Sequence, residues 1–98
     1  MQLSISGHHL DVTEAIKRHS TEKFSKIKHH FDHLININMI LEVAKDVQKA
    51  EATIHVSGAD LFAKAESDNM YTSIDQMVNK LDSQIKKHKE KLSNHRKN

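Results

Sequence analysis

Nine histidines and fifteen lysines and arginines hold most of the chemistry that this 98-residue chain can offer. The nearest approach to a metal motif is HHFDH, where His29 and His33 stand four residues apart and could place two imidazoles on one helix face. No glutamate follows the first histidine as it does in a zincin, and the pair falls where a helix should end, so no metal site is expected. His8 and His9, beside Gly7, read as loop residues. Histidines gain charge only as pH falls toward about 6.5, so they would modestly strengthen anion binding in an acidified cytoplasm. Asp68 and Asp75 lie two turns apart and read as a helix cap and a solvated carboxylate rather than an acid–base pair. No Gly-rich phosphate loop, nucleophile elbow or Ser, His and acidic trio is present, so neither catalysis nor a cofactor is expected. The absence of cysteine removes disulfides, thiolate zinc sites and thiol redox chemistry.

The lysines are the stronger signal, because they are unevenly placed. From Asn79 to Asn98 there are seven lysines and arginines against two carboxylates, a surplus of five, while the whole chain carries only +2. A second positive block runs from Lys17 to His30, with five cations against Glu22, and the stretch from Phe31 to Val78 has three lysines against eight carboxylates. Both positive blocks read as helix, and a partner would feel that asymmetry more than the net charge. Phosphate is the ligand such blocks suit. The only aromatic side chains are Phe24, Phe31, Phe62 and Tyr71. Platforms for stacking single-stranded bases are therefore few, and binding should be led by phosphate and shape, as for structured RNA.

The elements that must position these groups follow from periodicity. The length suits one domain over residues 1–98, with residues from about 93 onward expected to fray. The N-terminus lacks the basic and apolar regions of a signal peptide and no window approaches about 20 apolar residues, so a soluble cytoplasmic protein is expected. QLSIS alternates and reads as a short strand stopped by Gly7. In LDVTEA, Asp11 has capping-box spacing to Glu14, and Thr13 is an equal candidate for the cap. Val12, Ile16, Ser20, Phe24, Ile27 and Phe31 then recur at helical intervals, although His19 and Ser20 are weak core residues.

LININMILEVAKDV, KAEATIHV and DLFAKAES alternate in turn, which predicts three strands in an antiparallel meander. From Met70 through Ile74, Met77, Val78, Leu81, Ile85 and His88 to Leu92 the apolar spacing is helical, with Ser67 or Asp68 as cap. The fold class is thus α+β in the order β-α-β-β-β-α: a four-stranded sheet with two helices on one face, like a double-stranded-RNA-binding domain with an extra N-terminal strand.

At about 100° per residue, Lys80, Lys87 and Lys91 share one flank of the second helix, while Lys86 and Lys89 lie on the other. On the first helix Lys26 is at the edge of the apolar sector and Lys23 falls inside it. Lys23 has two readings: its stem snorkels over apolar surface, or it joins Lys26, Lys80, Lys87 and Lys91 in one phosphate-binding strip.

Across nearly its whole length the chain resembles the short-form bacterial ribosome hibernation promoting factors of the protein Y and sigma-54 modulation protein family. The resemblance is carried by MQLSISGHHLDVTEAIKRHSTEKFSKIKHHFDHLI, by ATIHVSGADLFAKAESDNMYTSIDQM and by NKLDSQIKKHKEK. It implies the same fold and a translation inhibitor. Such proteins occupy the messenger and transfer RNA channel of the small ribosomal subunit, on 16S rRNA, in stationary phase or stress. Short forms act with a separate ribosome modulation factor to favour inactive ribosome dimers, and no membrane or DNA partner is implied. The rRNA-contacting set it implies is Lys23, Lys26, Lys80, Lys86, Lys87, Lys89 and Lys91. Arg18, Lys28, Lys64, Tyr71 and Asp75 are further candidates, and Asp68, Tyr71 and Asp75 match a DMYxxID segment.

Two departures from the family pattern stand out. His19 and Ser20 replace an aromatic or aliphatic pair, which implies looser packing of the first helix. Asp82 and Ser83 replace a small residue and an arginine, which removes a phosphate contact and adds repulsion. The absence of a longer tail favours the dimer-promoting type over one that stabilises inactive monomeric ribosomes. A reading from another class also stands: a protein-interaction module whose helical face docks an acidic protein.

Overall fold

The computed structural model describes residues 2–28, 36–56 and 58–96, with the side chains of Lys28 and of residues 91–96 outside that description. The elements are β1 (Gln2–His8), α1 (Glu14–Lys28), β2 (Asn36–Ala44), β3 (Val47–Val56), β4 (Ala59–Ser67) and α2 (Met70–Arg96). They form one sheet in the order β1-β2-β3-β4. β1 runs parallel to β2, and the other two pairings are antiparallel. A parallel pair needs a crossover, and α1 supplies it. The β-α-β-β-β-α order and the four-stranded sheet are those expected from the alternation.

Alternation decides which face is buried. Ile37, Met39 and Leu41 of β2, Ala50, Ala52, Ile54 and Val56 of β3, and Ala63 and Ala65 of β4 all point to the helices and are buried. Cross-strand rows pair large with small: Met39 lies beside Ala52 and Ala63, and Leu41 beside Ala50 and Ala65. Four alanines there leave room for the large side chains of α2, namely Met70, Ile74, Met77, Leu81 and Ile85. Ile16, Phe24 and Ile27 of α1 complete the core. Each large side chain so buried contributes about 1.5–3 kcal/mol.

Two boundaries differ from the sequence expectation and a third is settled between two candidate caps, each for a local reason. Gly7 does not stop β1, which continues through Gly7 and His8 paired with Leu41 and Glu42. Its role is close approach: a Cβ there would lie 2.6 Å from the Leu10 carbonyl oxygen and 3.1 Å from Val12 Cγ2. The turn is made by His9, at φ 62°.

Thr13, rather than Asp11, caps α1, its Oγ1 accepting from the Ile16 N–H at 3.2 Å. For α2 the cap is neither Ser67 nor Asp68 but Asn69, whose Oδ1 accepts from the N–H groups of Tyr71 (2.9 Å) and Thr72 (3.3 Å). Ser67 supports it, accepting from the Asn69 N–H at 3.2 Å. Its hydroxyl also lies 2.6 Å from that of buried Ser73, which donates to the Gln48 carbonyl at 2.7 Å. α2 continues to Arg96. Of the tail expected to fray, Lys97 and Asn98 lie outside the described residues, as do His29, Phe31 and His33.

Candidate nucleic-acid interface

Both helices cover the same face, and contacts between them fix their rotation. Asp75 Oδ1 of α2 lies 2.7 Å from His19 Nε2 and 3.7 Å from Lys23 Nζ of α1. Tyr71, one turn before Asp75, meets the His19 ring edge-to-face at a centroid distance of 5.0 Å. Moving along α2 from Tyr71 to Asp75 therefore moves along α1 from His19 to Lys23, and the helices run side by side in the same direction.

This rotation corrects the expected single strip of lysines. The flank of α2 that meets α1 carries Tyr71 and Asp75 and, at helical spacing, Asp82, Lys86 and Lys89. Lys80 is on the far flank, where its ammonium donates to the Lys64 carbonyl at 2.8 Å. Gln84, one turn on, donates to the Phe62 carbonyl at 2.7 Å. These two side chains occupy outward carbonyls of the edge strand β4, so Lys80 seals a sheet edge. Lys87 shares that flank by spacing and is exposed. The α1 lysines and the Lys80 flank are thus separated by the width of α2.

The other candidates sort as follows. Lys26 and Arg18 are exposed and make no ion pair among the described residues. Lys23 is neither a bare snorkelling stem nor an unencumbered phosphate ligand: its side chain is 31% exposed and its ammonium approaches Asp75. Lys86 pairs with Asp82 Oδ2 at 3.1 Å, so the expected repulsion from Asp82 is offset within its own helix. Lys89 is exposed and already engaged by other groups of the chain. The side chains of Lys28 and Lys91 lie outside the described residues.

Lys64 stands apart from all of these, on the open face of the sheet. There it is paired in register with Glu51, while Lys49 sits between Glu42 and Glu66. That face alternates in sign and offers no uniformly positive patch, which leaves the helical side as the anion-facing one. Among the described residues no cluster of three or more His, Asp and Glu could hold a metal ion. No helix there is long and apolar enough to cross a membrane.

Two features were not foreseen from sequence. His19, expected to be a poor core residue, is instead the link to α2. Ser20 beside it is 0% exposed, and its hydroxyl has no hydrogen-bond partner among the described residues. Its cost is that of a desolvated hydroxyl, since the side chain itself is fully enclosed.

Fold and site together define an α+β domain of β-α-β-β-β-α order with cations on its helical side. Residues 3–93 match the family model described as Sigma 54 modulation protein / S30EA ribosomal protein, and the chain belongs to that family. It is 50% identical over 91 residues to a ribosome hibernation promoting factor of Azotobacter vinelandii, covering 93% of this chain and 85% of that protein. To the ribosome hibernation promoting factor of Escherichia coli (strain K12) it is 40% identical over 95 residues, covering 97% and 100%. Among solved structures it is similar to a ribosomal subunit interface protein from Coxiella burnetii, with TM-score 0.87, 29% identity and coverage of 91% and 98%. The N-terminal domain of Thermus thermophilus Protein Y shares the fold, with TM-score 0.85 at 24% identity over 90% and 99%. Membership of a family of ribosome-associated regulators, more than any missing motif, sets this chain outside the enzymes.

Proposed function

We propose that this protein is a cytoplasmic ribosome hibernation factor that binds 16S rRNA of the small ribosomal subunit in the messenger and transfer RNA channel, and so silences translation in stationary phase or stress. The observation that carries this reading is the helical side itself: two parallel helices expose Arg18, Lys26 and Lys87, while the opposite sheet face is balanced in sign. Phosphate-led recognition of a folded RNA uses such a one-sided array and does not depend on many stacking platforms. The names of the relatives supply the ribosome.

Co-sedimentation with vacant small subunits at two salt concentrations, with and without messenger and initiator transfer RNA, tests it. Salt-sensitive binding that both ligands displace is the expected result. Binding that the ligands do not displace, and that falls less steeply with salt, would instead indicate docking to an acidic protein surface. Gradient profiles with and without ribosome modulation factor separate dimer promotion, the expected outcome, from stabilisation of inactive monomeric ribosomes.

A further inference from the structure

The seam between α1 and α2 contains a carboxylate where a phosphate-binding surface would least tolerate one. Asp75 is 39% exposed, and among the described residues only its Oδ1 is engaged, by His19 and Lys23. Its Oδ2 has no hydrogen-bond partner among the described residues. Tyr71 is 40% exposed, a large apolar ring left at the surface of the same seam. One helical turn separates the two, so ring and carboxylate are neighbours on one face. His19 holds both, by its hydrogen bond to Asp75 and its edge-to-face contact with Tyr71. Lys23 and Lys26 stand alongside on α1, where they can take the flanking phosphates.

A flat ring, a fixed acceptor and adjacent cations are the three groups that an unpaired nucleotide requires. The base stacks on the ring, its amino group donates to the carboxylate, and its phosphate meets the lysine. We propose that Tyr71 and Asp75 form a base-reading point within the rRNA-binding surface, which takes one unpaired base bearing an exocyclic amino group (cytosine, adenine or guanine). Uracil is disfavoured, because its one donor on that edge, N3–H, is flanked by two carbonyl oxygens that repel Asp75. His19 is the positioning residue, since it fixes which carboxylate oxygen faces outward. The inference rests on the reading of this protein as an rRNA binder.

The test compares wild type with Tyr71→Phe, Tyr71→Leu and Asp75→Asn on vacant small ribosomal subunits, by affinity at several salt concentrations and by chemical footprinting. Tyr71→Phe keeps the ring and is expected to bind as wild type. Tyr71→Leu, at an exposed position, is expected to weaken binding about tenfold. Asp75→Asn keeps its oxygen on His19 and turns an amide N–H toward the base, so donor meets donor and a similar weakening is expected. Tyr71→Leu should not alter the slope of log affinity against log salt, because every phosphate contact is kept, whereas Asp75→Asn, which frees Lys23, can only steepen it. Base-edge protection at one nucleotide should vanish in both, while hydroxyl-radical protection of the backbone persists.

Tighter or equal binding by Asp75→Asn overturns the proposal, since Asp75 would then merely restrain Lys23. Unchanged footprints in Tyr71→Leu overturn it equally, as does cross-linking of residue 71 to a ribosomal protein rather than RNA. If wild type itself fails to bind the subunit, the rRNA reading falls, and this inference with it.

Discussion

His19 and Asp75, 56 residues apart in sequence, join the two helices through a 2.7 Å contact between Nε2 and Oδ1. With side chains 24% and 39% exposed, the pair is partly wetted, so its net contribution is modest, about 1 kcal/mol. Asp75→Ala should lower unfolding stability by that amount in urea titrations. In a double-mutant cycle with His19→Ala the coupling should be about 0.5–1 kcal/mol. A coupling of zero would mean that the helices hold their relative rotation by core packing alone.

Ser20 is the converse case, a buried hydroxyl with no partner among the described residues, set among Ile16, Phe24 and Ile27. Its desolvation costs about 1–3 kcal/mol without a compensating bond. Ser20→Ala removes the hydroxyl, leaves only a small void and improves helix propensity. It should raise stability by about 1 kcal/mol, read as a higher urea midpoint at unchanged slope. A fall in stability would show that the hydroxyl is satisfied, by water or by back-bonding.

The expectations that held were those written in a single element's periodicity. Ile37, Met39 and Leu41 alternate, and Met70, Ile74, Met77 and Leu81 repeat at helical spacing, so each reveals its buried face alone. What failed depended on two elements at once. The angular position of Lys80 on its helix was legible, but not that its flank meets the edge of β4 while the Asp75 flank meets α1. That choice is made by packing α2 on the sheet. The cap of α2 was ambiguous for another reason. Ser67, Asp68 and Asn69 are all favourable capping types, and only the network of Ser67 with Ser73 and Gln48 selects Asn69.

Lys45 illustrates strain that can be relieved. It begins the two-residue turn that closes Ala44 against Val47, at φ 57°, a left-handed conformation that disfavours a side chain with a Cβ. Glycine at the first position of a two-residue hairpin turn adopts it freely. Lys45→Gly should stabilise the protein by about 0.5–1 kcal/mol in thermal or urea unfolding, despite the entropy glycine adds to the unfolded chain. Lys45 belongs to the β2–β3 turn and to neither helix, so the salt dependence of binding to the small subunit should not change.

The last prediction separates the lysines by face. For a duplex-like site, each phosphate that the protein ceases to neutralise changes the slope of log affinity against log salt by about 0.9. Lys26 is exposed and unpaired among the described residues, so Lys26→Gln should flatten the slope by roughly that amount. Lys86 must first leave Asp82, with which it pairs at 3.1 Å, so Lys86→Gln should cost less affinity than Lys26→Gln. Lys64→Gln, on the open sheet face opposite Glu51, should leave both affinity and slope unchanged. Filter binding or sedimentation with vacant small subunits across several salt concentrations would measure all three. If Lys64→Gln flattened the slope as much as Lys26→Gln, the RNA would have to reach both faces of the sheet, and the helical side would lose its claim to be the binding surface.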